Sequence, residues 1–373
     1  MTVEMSETDK RFMERALSLA RRGLGRTSPN PAVGAVIVKD GSVAGEGYHR
    51  GAGKPHAEIE ALRMAGPSAA GATMYVTLEP CNHHGRTPPC TDAIVSAGLR
   101  RVVVGMKDPN PNVAGGGCDV LRRNGIRVSE GVLGHKCLLL NEAFVKFITT
   151  GRPMVTAKTA LTLDGFTATS SGDSKWITGD LSRRLVHRLR DQSDAVMVGV
   201  GTVLADDPEL TVRAVPRRGP QPYRVIVDTR LRTPPGAAVI TGDDPCRTLI
   251  AVGEGVSPEK RRAFAGMGVN LLECSTGPDG IDMTALLGIL AARSITNVFM
   301  EGGSRLMGTM LRGRLIDKIY IFRAPILLGG SDGITMASGP GASEIARCLK
   351  LRDIGVRRMD RDVLTVGYPV YPG

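Results

Sequence analysis

One imidazole, one carboxylate and two thiols stand at spacings that chemistry can use: His56 and Glu58 flank Ala57, Cys81 follows Pro80, and Cys90 follows Pro89. A nitrogen and two sulfurs supply three ligands for a tetrahedral zinc ion, leaving a fourth position for water, whose pKa then falls toward about 7. A carboxylate beside the metal, but not on it, can carry the water's proton to a leaving amine. Glu58 suits that role. A structural zinc site would need a fourth Cys or His instead. His49 is the only close candidate, and its expected place at a strand end suits substrate contact better.

The order His-x-Glu, then Pro-Cys, then Cys is that of zinc enzymes that deaminate nucleobases. The gap departs from the general pattern: eight residues, Asn82-His83-His84-Gly85-Arg86-Thr87-Pro88-Pro89, separate the cysteines. The flanks support one site all the same. Pro55 suits a first helical position, placing His56 and Glu58 in an opening turn. Met74 to Leu78 reads as a buried strand that delivers Glu79-Pro80-Cys81, and Cys90 opens the next apolar run, Ala93 to Leu99. A strand exit and two helix starts should therefore converge on one metal. The competing reading of Cys81 and Cys90 is a disulfide or two buried structural thiols. His83 and His84 read as polar lining of the pocket mouth. Cys118, Cys137, Cys246, Cys274 and Cys348 have no ligand-like spacing and read as small core hydrophobes.

The elements that must hold such a site fit within 373 residues, long enough for two domains. Hydrophobic content of 42% and charged content of 23% are those of an ordinary soluble chain. No apolar run reaches bilayer length, and residues 1–10 lack the basic and apolar parts of a signal peptide. Seven cysteines without framework spacing fit a reducing cytoplasm. The net charge of +11 raises the question of nucleic acid, but the arginines fall in scattered pairs and aromatics are only 4%. A small phosphorylated substrate and a phosphorylated cofactor account for arginine equally well, and neither a nucleic acid nor a membrane partner is expected.

Residues 1–150 alternate helix and strand as an α/β sandwich. Ser6 to Arg22 is an amphipathic helix with Phe12, Ala16, Leu19 and Ala20 on one side. Val33 to Val38 and Val43 to Tyr48 form a hairpin around Asp40-Gly41. A last helix, Lys136 to Thr149, stops at Gly151-Arg152-Pro153, which marks a domain boundary. From residue 151 to 373 a second α/β run follows, with strands near Val155, Asp194, Tyr223, Thr248, Val269 and Asn297. It reads as a mostly parallel sheet covered on both faces.

A nucleotide cofactor in such a sheet binds beyond the strands' carboxyl ends, with phosphates near helix N-termini. Val298 to Ser304 runs a strand into Gly302-Gly303 and then a helix, leaving Glu301 at the strand tip for a sugar or substrate hydroxyl. Val198-Gly199-Val200-Gly201-Thr202 offers a second glycine turn, but Leu204 stands where a Rossmann fingerprint has its third glycine.

These residues together resemble the bifunctional riboflavin-biosynthesis deaminase/reductase family, from about Phe12 to beyond Gly330. The carriers are Thr27 to Gly34, His49 with Ala52-Gly53, His56-Ala57-Glu58, Thr77 to Cys81, Gly85 to Cys90 and Asp108 to Pro111. In the second half they are Leu163-Asp164-Gly165, Ser174 to Thr178, Asp206-Asp207-Pro208, Glu301-Gly302-Gly303 and Leu327 to Gly330. The eight-residue cysteine gap is typical of this family. The resemblance implies a cytidine-deaminase-like domain at 1–150 that hydrolyses the 2-amino group of a diaminopyrimidinone ribosylamine phosphate. It implies a dihydrofolate-reductase-like domain at 151–373 that reduces the product's ribosyl group with NADPH, and a homodimer or higher homo-oligomer.

Carried over by motif, His56, Cys81 and Cys90 bind zinc and Glu58 shuttles the proton. Ala160, Trp176, Thr202, Asp206, Thr229 and the run Gly303, Ser304, Arg305, Leu306, Met307, Gly308 and Thr309 align with cofactor contacts. Ser174, Arg190, Leu210, Arg213 and Glu301 align with substrate contacts in the reductase half, as Asn30 and His49 do in the deaminase half. Arg190 and Arg213 suit phosphate clamps. Trp176, the sole tryptophan, otherwise reads as core packing. Lys158 is expected to assist sugar ring opening and Asp206 to donate its proton. Where the family commonly has a basic residue after Val-x-Gly, this chain has Val113-Ala114-Gly115-Gly116-Gly117. The alternatives are a deaminase of tRNA or free bases with an unrelated second domain, and a zinc-stabilised nucleic-acid-binding module.

Overall fold

A computed structural model of the chain describes residues 6–83, 88–110 and 116–372. His84 and the Val113-Ala114-Gly115 stretch lie outside them. Contacts divide the chain into two compact units, Met1–Gly151 and Arg152–Gly373.

The first unit holds five strands: β1 (Gly34–Lys39), β2 (Ser42–Tyr48), β3 (Thr73–Leu78), β4 (Arg101–Met106) and β5 (Arg127–Glu130). Their spatial order is β2-β1-β3-β4-β5. β1 runs antiparallel to β2 and β3, and the remaining pairs are parallel. Successive side chains of a strand point to opposite faces, and β1 uses both. Ala35 and Ile37 pack toward Ala57, Ala61 and Ile94 on the site-bearing helices. Val36 and Val38 pack toward Phe12, Met13 and Leu17 of the helix Glu7–Ala20, which Ser6 caps by accepting from Asp9 N. The hairpin turn expected at Asp40-Gly41 is present, with φ of 48° and 79°, the left-handed pair of a tight two-residue hairpin loop.

Two glycines of β2 set the depth of the helix Ala57–Ala65. A Cβ on Gly45 would stand 2.3 Å from Ala61 O, and one on Gly47 2.6 Å from Ala57 O. With Ala57, Ala61 and Ala65 on the facing side, helix and strand backbones come together as no larger side chains would allow. The single helix expected from Lys136 to Thr149 is two, Gly134–Leu140 and Glu142–Thr150. Asn141 breaks it, because its amide accepts from Ala32 N at 2.8 Å and donates to Ala32 O at 3.0 Å. That side chain thereby fixes the turn that carries Asn30.

The second unit contains β6 (Met154–Leu161), β7 (Phe166–Ala168), β8 (Ala195–Gly199), β9 (Tyr223–Val227), β10 (Thr248–Val252) and β11 (Asn270–Glu273). There follow β12 (Thr276–Gly277), β13 (Gly280–Ile281), β14 (Asn297–Glu301), β15 (Lys318–Arg323), β16 (Ile334–Thr335), β17 (Lys350–Met359) and β18 (Asp362–Val370). Nine of them form one sheet, β11-β10-β9-β8-β14-β6-β15-β18-β17, parallel from β11 to β15 and antiparallel beyond. Both faces are covered: Ala195 and Met197 of β8 enter one core, Val196 and Val198 the other. The mostly parallel sheet is as expected, but β15 and the β17–β18 hairpin were not anticipated. β17 is exposed along nearly its whole length and so carries no apolar alternation to read.

Candidate active sites

The first site lies where three chain segments end. His56 is the N-cap residue of the helix Ala57–Ala65, so Pro55 precedes the helix instead of opening it. Cys81 follows β3 by three residues, and Cys90 is the first residue of the helix Cys90–Ser96. His56 Nδ1 stands 3.2 Å from Cys90 Sγ and 3.5 Å from Cys81 Sγ, and all three donor atoms lie within 4.8 Å of one another. For Zn–N of about 2.0 Å and Zn–S of about 2.3 Å, a tetrahedral edge is about 3.5 Å. The donors fit zinc in type and in spacing. No disulfide joins the cysteines.

Electrostatics agree with a metal centre. A hydrogen bond from Cys90 holds the Cys81 thiol far below the usual range, with His56 adding to the effect, while the same bond pushes Cys90 up. The pair thus favours loss of one proton, and a bound dication would hold both sulfurs as thiolates. Glu58, 3% exposed, sits in the helix's first turn facing these sulfurs. Burial pushes its carboxyl up to about 7, the charge of Cys81 adding to it.

His49 is buried at 3% exposure. Its Nδ1 donates to Pro55 O at 3.1 Å and its Nε2 accepts from Asn30 Nδ2 at 3.2 Å. Both ring nitrogens are occupied, and burial lowers its pKa, so it is a neutral ring that orients Asn30 and the chain entering His56. Glu79 had no role in the sequence reading. Its Oε1 accepts from Cys118 N at 3.0 Å and its Oε2 from Asp108 N at 3.2 Å, tying the strand exit to two neighbouring segments. Gly117 is required beside it, since a Cβ there would lie 1.9 Å from Pro80 O. His83 is exposed. Of the cysteines expected in the core, Cys118, Cys137 and Cys274 are buried, but Cys246, within the short helical turn Pro245–Arg247, and Cys348, just after the turn Ile345–Arg347, are exposed.

The second site is a cleft of about 1190 Å³ over the carboxyl edge of the nine-stranded sheet. It is lined by Lys158, Ala160, Ser174, Thr202, Asp206, Thr229, Gly303, Ser304, Arg305, Leu306, Met307 and Thr309, all expected there from the sequence. Gly302 and Gly303, with φ of 65° and 83°, lead β14 into the helix Ser304–Arg312. Ser304 Oγ is buried without a hydrogen-bond partner. An orphaned hydroxyl at a helix N-terminus, behind two left-handed glycines, fits a phosphate of a dinucleotide. Burial lowers the pKa of the Lys158 amine, with Glu301 and Asp206 opposing.

Several expected contacts do not line this cleft. Gly308 is a packing glycine whose added Cβ would lie 1.9 Å from Ser338 O. Trp176 is 66% exposed, not core, with the Arg183 guanidinium 4.7 Å over its ring. Arg190 and Glu301 bind each other, and Arg190 Nη1 also donates to Thr211 O at 2.8 Å. Leu210 is buried with φ of 55°, and Arg213 is exposed, its backbone N–H 3.4 Å from His187 Nδ1. Burial, then the charges of Arg190 and Arg213, lower His187 to about 4.

A sandwich with a His, two Cys and a buried carboxylate, and a parallel sheet with a phosphate cradle on its carboxyl edge, define a class: a zinc deaminase domain joined to a nucleotide-dependent reductase domain. Residues 6–106 match the family model for the cytidine and deoxycytidylate deaminase zinc-binding region, and residues 153–365 that for the RibD C-terminal domain. The chain belongs to the riboflavin biosynthesis protein RibD family. It is 44% identical to the Aquifex aeolicus protein (96% of this chain, 98% of that one) and 42% identical to that of Escherichia coli (95% and 98%). A solved Acinetobacter baumannii RibD superposes with a TM-score of 0.88 at 40% identity over 98% of this chain and 99% of that one. A Thermotoga maritima diaminohydroxyphosphoribosylaminopyrimidine deaminase/5-amino-6-(5-phosphoribosylamino)uracil reductase does so with 0.83 at 38%, over 97% and 99%. No described helix is long and apolar enough to cross a membrane.

Proposed function

We propose that the chain catalyses two successive steps of riboflavin biosynthesis. Residues 1–150 hydrolytically deaminate 2,5-diamino-6-ribosylamino-4(3H)-pyrimidinone 5′-phosphate, and residues 151–373 reduce the product's ribosyl group to ribityl with NADPH. The observation that carries the reading is the convergence of His56 Nδ1, Cys81 Sγ and Cys90 Sγ within 4.8 Å, with Glu58 buried beside them.

His56, Cys81 and Cys90 would hold zinc, which when bound would supply an acidified water as nucleophile at neutral pH. Glu58 takes a proton from the attacking water and delivers it to the departing amino nitrogen. Its burial favours the protonated half of that cycle, and zinc, once bound beside it, would favour the ionised half. His49 keeps the Asn30 amide nitrogen engaged, which leaves the Asn30 carbonyl oxygen to meet a donor on the pyrimidine.

In the reductase half NADPH supplies the hydride. Gly303, Ser304 and the following backbone would hold its phosphates, and Thr202, Thr229 and Ala160 line the same cleft. Ser174 lines the substrate's end of the cleft, while Arg190 and Glu301, paired with each other, and Leu210 and Arg213 stand off its lining and would meet substrate only after a rearrangement of the neighbouring chain. Lys158, as the ammonium, stabilises the negative charge that appears on the sugar oxygen when the ring opens, and Asp206 replaces the proton. Trp176, exposed and covered by the Arg183 guanidinium, stands outside the cleft lining.

The protein acts on a small phosphorylated molecule in the cytoplasm, without nucleic acid, as a homodimer or higher homo-oligomer. Support for self-association comes from β17, an edge strand that exposes Ile354 by 57% and Val356 by 64%. The test is an anaerobic assay of purified protein on the ribosylamine phosphate, following ammonia and NADPH oxidation separately. Ammonia first and NADPH oxidation after it supports the order; NADPH oxidation without ammonia release refutes it.

A further inference from the structure

The loop that follows β9 brings two arginines, Arg230 and Arg232, to the cleft. Asp228 Oδ2 accepts from Thr233 N at 2.7 Å and from Thr233 Oγ1 at 2.8 Å, closing residues 228–233 into a loop. Thr229 O accepts from Gly253 N at 3.0 Å, which ties the loop to the next strand. Leu231, with φ of 50° and 3% exposure, is driven into the core. Its neighbours Arg230 and Arg232 are turned outward, and both line the cleft. Among the described residues neither guanidinium has a hydrogen-bond or ion-pair partner.

Their distance from the phosphate cradle is set by the sheet. Gly199 of β8 pairs with Val227 of β9, and Met300 of β14 with Met197 of β8, so the ends of β14, β8 and β9 lie nearly level. The loop after β9 is therefore two strand spacings, roughly 10 Å, from the start of the helix Ser304–Arg312. A dinucleotide with its pyrophosphate on that helix would have room to send its adenosine along the edge to β9, where one ribose plus an arginine side chain would span the remainder. The hairpin β12–β13 floors that end, a Cβ on Gly280 standing 2.8 Å from Thr229 Oγ1.

Charge decides which dinucleotide this end favours. A site for an unphosphorylated ribose uses a carboxylate to accept from the 2′-hydroxyl. Among the described residues lining the cleft, only Asp206 and Asp279 are acidic, and Asp279 is held by Arg312 Nη2 at 2.9 Å. Two unpaired guanidiniums instead match a phosphate monoester. Resting on the reductase reading above, we infer that Arg230 and Arg232 bind the 2′-phosphate of NADPH and set its preference over NADH, while Arg305, at the helix start, serves the pyrophosphate common to both.

Calorimetric titration of the full chain with NADP+, NAD+ and 2′,5′-ADP tests this without turnover. Arg230→Ala and Arg232→Ala should each weaken NADP+ and 2′,5′-ADP on the order of tenfold and leave NAD+ unchanged. Arg305→Ala should weaken NADP+ and NAD+ alike. Retained NAD+ binding shows that a variant is folded. If the double variant keeps the wild-type ratio of NADP+ to NAD+ affinity, the assignment is overturned and the reductase reading stands. A wild-type chain that binds neither dinucleotide overturns both.

Discussion

Arg190 Nη2 lies 2.9 Å from Glu301 Oε2 while Arg190 Nε binds the other carboxylate oxygen, a fork whose side chains are only 10% and 11% exposed. It joins the helix Asp180–Asp191 to the tip of β14, beside the cleft. The sequence suggested a phosphate clamp and a hydroxyl acceptor as separate contacts. Burial explains the difference: two charges this far from water must neutralise each other before either can serve a ligand.

Removing one partner leaves the other charge buried. Glu301→Ala should destabilise the reductase unit by about 3–5 kcal/mol. Urea unfolding followed by the fluorescence of Trp176, the sole tryptophan, reports on that unit alone. A loss below about 1 kcal/mol would class the pair with exposed ones.

For the deaminase, charge and ligation are separable. Glu58→Gln keeps the shape and the three ligands, so zinc should remain at one per chain while ammonia release falls about 10²–10⁴-fold. Stripping zinc with a chelator should abolish ammonia release yet leave reduction of the deaminated intermediate intact. Loss of zinc from Glu58→Gln would mean that the carboxylate is itself a ligand.

The deaminase site was readable in the sequence because each ligand marks the end of a segment with its own local signature: the buried run of β3, a proline before Cys90, and Pro55 at the start of the run that carries His56 and Glu58. The pairing of Arg190 with Glu301, 111 residues apart, has no local signal, nor does the way Asn141 breaks a helix by capping Ala32. Glu79 lay inside a recognised motif, yet its two backbone partners come from segments that only the fold brings near. In β17 the failure is of another kind: a strand without a buried face has no period-two pattern to find.

Lys158 gives the reductase a pH signature. Burial lowers its pKa, while Glu301 and Asp206 hold it up. If ring opening needs the ammonium, turnover falls as pH rises through that lowered value. Asp206→Asn removes one negative neighbour, so the alkaline limb of kcat should move to lower pH and kcat at saturating NADPH should drop. Lys158→Met should erase the limb with the activity. Asp206→Asn with unchanged turnover removes that carboxyl as proton donor.

Acid stability of the first unit should depend on Asp9. Burial opposes its charge, but Arg101 Nη1 and Nη2 at 2.9 Å and Tyr75 Oη at 2.9 Å outweigh burial, and its pKa falls below the ordinary 3.8. An acid whose pKa is lower folded than unfolded binds fewer protons in the native state, so its stabilisation is complete above its unfolded pKa and is lost as pH drops through the folded value. Asp9→Asn should therefore cost about 2 kcal/mol near neutrality, the worth of hydrogen bonds to a charged group. The gap between wild type and variant should narrow as the medium is acidified below about pH 4. Thermal unfolding of both proteins across that range decides it. A gap that stays constant with pH would mean that Asp9 contributes by shape and not by charge.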